Sequence, residues 1–122
     1  MAANKIERLV VALTATLTTN ILNPGTTTGG VGLTNRNCFL LVYQIRVVNK
    51  SGVAGTFSLW LGATGANAAG TELATARAVP AYGEVILQYP KGLRLDVADF
   101  LVGGANAVTT NTIEISYELG VQ

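Results

Sequence analysis

Histidine is absent from the chain. That removes triads with an imidazole base, histidine-bearing zinc sites and imidazole proton relays together. Cys38 is the only cysteine, and without a histidine to take its proton it makes a poor thiol-enzyme nucleophile. Its place at the head of an apolar run fits a small buried hydrophobe. Asp96 and Asp99 are the nearest approach to paired carboxylates or a calcium site. They lie three residues apart where a strand runs into a turn, and calcium usually takes about six or more oxygens. A solvated turn is the expected role.

Gly62-Ala63-Thr64-Gly65 and Gly29-Gly30-Val31-Gly32 superficially suggest phosphate loops. Neither has the Lys-Ser/Thr ending or a following helix that phosphate cradling requires. Asn49-Lys50-Ser51 matches the glycosylation sequon, at a rate that chance alone accounts for in a chain this rich in Asn, Ser and Thr. No enzyme activity, cofactor or metal is expected. The chain is expected to work by adhering to other protein surfaces.

Composition supports that expectation. Charged residues make up 12%, about half the usual 25% share of soluble domains. Apolar residues make up 49%, and the mean hydropathy is +0.41. The longest strictly apolar runs, Leu9–Leu13 and Cys38–Tyr43, are far short of the about 18 residues a spanning helix needs. Leu9–Leu13 is also too short for a signal-peptide core, and Glu7 and Arg8 precede it. These features point to a subunit that buries apolar area in an assembly, with no membrane partner. The net charge is +1, with charges scattered singly, so no nucleic-acid partner is expected either.

With 122 residues the chain has room for one domain with its own core. The elements positioning its surfaces show a period of two, which marks strands. Ile113, Ile115, Tyr117 and Leu119 alternate with Glu114, Ser116 and Glu118. Val85, Leu87 and Tyr89 oppose Glu84 and Gln88, and Leu93, Leu95 and Val97 alternate with Arg94 and Asp96. Ile6–Leu13 reads as a strand that runs on toward Leu17, and Thr71–Val79 as a weaker one. In Phe39–Val48, Phe39, Leu41, Tyr43, Ile45 and Val47 share one face, while Leu40 and Val42 make the other face apolar too.

Turn signals separate the runs: Asn23-Pro24-Gly25, Gly29-Gly30, Asn49–Gly52, Pro80–Gly83, Pro90-Lys91-Gly92 and Gly103-Gly104. Asn23–Gly32 and Ala63–Gly70 read as exposed loops. The whole predicts an all-β chain: a single antiparallel β-sandwich over residues 1–122, jelly-roll-like, with about seven or eight strands.

Five residues are candidates for an interface. Leu40 and Val42 lie opposite the expected core face of their strand. Trp60 lies opposite Phe57, Leu59 and Leu61, either as a binding anchor or beneath a further covering layer. Lys5 and Arg8 belong to an N-terminal segment, residues 1–8, expected to act as a docking arm. A homo-oligomer is expected from the sparse charge and these apolar positions.

The second half carries Val79-Pro80-Ala81-Tyr82-Gly83-Glu84-Val85-Ile86-Leu87. Gly92-Leu93-Arg94-Leu95-Asp96-Val97-Ala98-Asp99 follows, and then Ala105–Thr112 leads into Ile113–Tyr117. This series resembles the small β-sandwich proteins that decorate, or cement, bacteriophage heads, with Ala98 standing where that pattern has Gly. The resemblance implies a homotrimeric virion structural subunit, assembled in the host cytoplasm. It would bind the outer surface of the major capsid protein shell, and no catalytic residues carry over. Turn-and-strand motifs specify a fold better than an activity. The alternative function is a receptor- or carbohydrate-binding module on a tail fibre or appendage, to which Trp60, Tyr82 and Asn67 would contribute.

Overall fold

A computed structural model describes residues 5–24, 38–63, 65, 67, 70–96, 98–107 and 110–121, with the backbone alone at Lys5, Cys38 and Val121. Among the described residues eight strands form: β1 (Lys5–Ala12), β2 (Asn20–Leu22), β3 (Cys38–Asn49), β4 (Gly55–Gly62), β5 (Glu72–Val79), β6 (Glu84–Leu95), β7 (Phe100–Ala105) and β8 (Asn111–Val121). They build two four-stranded sheets of order β1-β8-β3-β6 and β2-β7-β4-β5. Every pairing is antiparallel.

The connectivity follows from one operation. First pairs with last (β1 with β8), second with seventh, third with sixth, and fourth with fifth. The chain is thus one long antiparallel ribbon, turned back at β4–β5 and rolled so that β8 meets β3 and β7 meets β4. That is a jelly roll. The expected all-β sandwich is present, with a core of inward residues from both sheets that includes Ile45, Val47, Phe57, Leu59, Ile113 and Ile115. β8 keeps the alternation the sequence shows: Ile113, Ile115, Tyr117 and Leu119 are buried.

β3 departs from the expected parity. Its register jumps between Val42 and Gln44: against β8 Tyr43 is an extra residue, while against β6 it faces the unpaired residues Tyr89–Gly92. Such a bulge exchanges the faces of everything beyond it. Before it, Leu40 and Val42 point inward; after it, Ile45 and Val47 do, and all four are fully buried. Phe39, Leu41 and Tyr43 lie on the outer side, and the Tyr43 hydroxyl donates to Glu118 at 2.9 Å. The expected face assignment for Phe39–Tyr43 is therefore reversed.

Two expected turns lie inside strands. Pro90-Lys91-Gly92 falls within β6, where Gln88 pairs with Gln44 and Leu93 with Val42, so these residues loop out opposite the β3 bulge. β6 is an edge strand, the place where a sheet tolerates proline. Gly103-Gly104 lies within β7, and a Cβ on Gly103 would strike the Ser58 carbonyl of β4. Its purpose is close strand approach. β1 stops at Ala12, and the 14–19 segment instead runs along β7: Ala105 N donates to Thr14 O and Gly103 N to Thr19 O. β2, three residues long, has no counterpart among the expected strands.

Candidate binding surface

The antiparallel roll gathers Leu13, the 50–54 and 80–83 connections, and Asn106, Ala107 and Thr110 at one end of the sandwich. Cross-bonds tie them together: Lys50 N to Thr110 O at 3.0 Å and Tyr82 N to Ser51 O at 3.0 Å. Pro80–Gly83 is a tight turn closed by Gly83 N donating to Pro80 O at 2.9 Å. Tyr82 holds its third position at φ 55, a left-handed conformation normally given to Gly or Asn in such a turn. For a bulky residue this costs roughly 1–3 kcal/mol. The ring is nevertheless 77% exposed, lying over Gly52, beside which Val53 is 74% exposed. As an aromatic held in a strained backbone and offered to solvent, Tyr82 is a candidate binding residue.

The outer face of the β1-β8-β3-β6 sheet has a different character. Val10, Glu114, Arg46 and Ile86 stand in register across its four strands. The charges form a ladder: Arg8 to Glu114 at 3.3 Å, Glu114 to Arg46 at 3.5 Å, and Arg46 to Glu84 at 2.9 Å. The Glu84 carboxylate, by hydrogen bond and then by charge, holds the Arg46 guanidinium above its usual value, with Glu114 adding to it. Ile6, Val10 and Ile86 remain exposed on the edge strands of this sheet. Near its far corner, the Arg94 guanidinium stacks 4.2 Å from the Phe39 ring centroid, and Phe39 covers Gly120 on β8.

The candidate interface residues do not come together. Leu40 and Val42 are part of the chain's own core, displaced there by the Tyr43 bulge, and are corrected to that role. Trp60 is 8% exposed. It lies outside the central cluster, opposite Val102 on the outer face of the second sheet, so the covering-layer alternative describes it. The 14–19 segment roofs this face. A Cβ on Gly104 would sit 2.7 Å from the Thr14 and Thr16 carbonyls, and Ala15 and Leu17 share a cleft with Ser58 and Ala76. Arg8 is exposed but belongs to β1, opposite Ser116, with its charge paired to Glu114. Lys5 enters β1 opposite Leu119; its side chain and residues 1–4 lie outside the described residues. Residues 5–8 are thus strand, leaving only 1–4 for an arm.

Other candidates resolve in the same way. The Asp99 carboxylate accepts from Asp96 N at 2.9 Å, closing its own turn, while Asp96 pairs with Arg94 at 2.9 Å. Asn23, expected in an exposed loop, is buried and donates to the Asp99 carbonyl at 2.6 Å. Tyr82 and Asn67 lie in connections at opposite ends of the sandwich, with Trp60 buried between. The Cys38 side chain and residues 29–32 lie outside the described residues. No group of three His, Cys, Asp or Glu side chains able to hold a metal ion forms among the described residues.

Sequence reasoning missed Val53, whose signal was its place beside a turn glycine. It also missed the exposure of Ile6 and Val10, because the run Leu9–Ala12 is apolar on both faces and does not show which one is outward. Neither protein-family models nor curated proteins match this chain.

Proposed function

We propose that this chain is a virion structural protein that decorates a phage head, docking its Tyr82–Val53 end on the outer surface of the major capsid protein shell. The observation that carries the reading is Tyr82 itself, exposed in a conformation that a smaller residue would adopt with less strain. The resemblance of Val79–Tyr117 to head-decoration proteins supplies the partner. The jelly roll is a fold that viral capsid proteins and lectins both use, so it is compatible with the reading without selecting it.

Each copy bridges neighbouring shell subunits, and its binding free energy adds to the shell's resistance to rupture by linkage. A homotrimer engages several sites at once, so modest single contacts suffice. The test uses particles that lack this protein. Shells of normal size should form, rupture at lower temperature than complete ones, and regain resistance when purified protein is added back. Tyr82→Asn, which suits the left-handed turn, should fold but fail to restore resistance. Failure of the unaltered protein to bind shells, together with binding on a glycan array, would replace this reading with the appendage-adhesin one.

A further inference from the structure

Behind the Tyr82–Val53 end lie two buried asparagines, Asn49 and Asn111, that the apolar core does not explain. Asn111 opens β8 directly opposite Asn49 of β3 and is fully buried, at 0% exposure. Neither its Nδ2 nor its Oδ1 has a hydrogen-bond partner. An unpaired buried amide loses its full solvation, which is more than a typical hydrogen bond returns, so a partner is required.

The neighbouring amides are already engaged. Asn49 Nδ2 donates to Val53 O at 2.9 Å and to Val79 O at 3.4 Å, and its Oδ1 accepts from Ser51 N at 2.8 Å. Asn106 Oδ1 accepts from Thr56 N at 3.0 Å and keeps a second lone pair. All three amides converge on one point. A Cβ built on the buried Gly55 would stand 3.1 Å from Asn106 Oδ1, 3.4 Å from Asn111 Nδ2 and 3.7 Å from Asn49 Nδ2. Gly55 is not among the glycines with positive φ, so its lack of a side chain serves space and not conformation.

We propose that the Asn111 amide, with Asn106 and the bare Cβ side of Gly55, forms an internal water-binding site. The chemistry selects water. The amide presents a donor and an acceptor side by side, and exchanging its oxygen and nitrogen leaves that pair unchanged. Water accepts from Nδ2 and donates to the Oδ1 atoms of Asn111 and Asn106, a coordination typical of buried water. A cation would meet the Nδ2 hydrogens. The site also has a mechanical consequence, because the adjoining Asn49 amide holds Ser51 and Val53, and Ser51 O holds Tyr82 N. The water thus backs the loop end that presents the anchor.

The experiment is a high-resolution crystal structure of the unaltered protein, joined to water-oxygen magnetic relaxation dispersion on it and on Asn111→Leu. The expected density is a water about 2.7–3.2 Å from Asn111 and Asn106 polar atoms. Asn111→Leu should lose one long-lived water and show faster amide hydrogen exchange at Ser51 and Val53. Three results would each overturn the proposal. They are an Asn111 amide bonded only to protein, an ion about 2.3–2.6 Å from its oxygen, or an unchanged count of long-lived waters in the variant. The crystallographic arm decides the matter even if the variant does not fold.

Discussion

Substituting Gly103 distinguishes a glycine required by packing from one required by a turn. Gly103 pairs with Leu59 across the β4–β7 ladder. An alanine methyl there would collide with the Ser58 carbonyl and stand 2.9 Å from Leu59 Cδ2 and 3.1 Å from Leu59 Cα. Two of these three obstacles are backbone held in a sheet, so β7 must move off β4 and weaken bonds on both sides. Over-packing costs up to about 3 kcal/mol when rotamers cannot absorb it, and Gly103→Ala belongs at that upper end. Unfolding entropy of about 2.1 cal/mol/K per residue over this 122-residue chain gives about 0.26 kcal/mol/K, so Tm should fall by about 12 °C. Gly104→Ala meets carbonyls of the 14–19 segment at 2.7 Å, which lie outside a strand and can yield, so its loss should be smaller. Gly62 provides the control: its methyl would meet nothing closer than 3.9 Å, and Gly62→Ala should leave Tm nearly unchanged or slightly raised. Thermal melts of the three variants under one buffer give the ranking. A Gly103→Ala protein as stable as Gly62→Ala would refute the packing argument and return the Gly103-Gly104 pair to a turn.

The remaining predictions use the same protein preparation. Leu40→Ala should lose about 2–5 kcal/mol in urea unfolding, as a fully buried leucine does, whereas Ile6→Ala, at 83% exposure, should lose little; equal losses would undo the bulge assignment. Tyr43 and Tyr89 should ionise above the ordinary 10.0, Tyr43 chiefly through its hydrogen bond to Glu118 and Tyr89 through burial. Their neutral forms are favoured in the fold, so this contribution is complete below pH 10.0 and is lost as pH rises through the raised values. Tyrosinate absorbance against pH, compared with Tyr43→Phe and Tyr89→Phe, checks the direction, and ionisation at or below the ordinary value would contradict it. Tyr82→Asn should be at least as stable as the parent in thermal melts, since the left-handed turn suits Asn; a marked loss would show that the ring's contact with Gly52 outweighs the strain.

What the sequence disclosed depended on whether one face of each strand was polar. β8 was readable because Glu114, Ser116 and Glu118 mark its outer side. β3 was not, because Phe39, Leu40, Leu41, Val42 and Tyr43 are apolar without interruption and a one-residue bulge leaves no trace in such a run. Gly and Pro misled for a related reason. Pro80–Gly83 is the turn it appeared to be, while Pro90–Gly92 is an edge-strand bulge and Gly103-Gly104 a packing contact; composition alone does not separate these uses. β2 is too short to show a period. At the candidate surface the turn carrying Tyr82 was legible, but its left-handed backbone was not, since that position ordinarily announces itself with Gly or Asn. Trp60 lies on the outer face, as its alternation with Phe57, Leu59 and Leu61 indicates, but its burial was not legible there.

The sheet edges bear on where adhesion can occur. An unpaired strand edge invites pairing with another chain unless it is interrupted or charged. β6 is interrupted at Pro90–Gly92. β5 is broken at Ala76, held at φ 44 with its N–H bonded to Ser58 Oγ at 2.9 Å, and β2 has three residues. β1 alone pairs without a shift along its whole length, and it is there that Lys5, Glu7 and Arg8 occur. Among the described residues, three edges are therefore blunted by geometry and the fourth by charge, with Glu7 and Arg8 further committed to Tyr117 and Glu114. On the proposed reading, this disfavours joining copies by extending their sheets and leaves side-chain contacts to do the binding. Tyr82 and Val53 project from connections at the sandwich end, where no ladder competes for them. Their supporting Asn49–Ser51 hydrogen bonds keep them presented while the sheets stay closed.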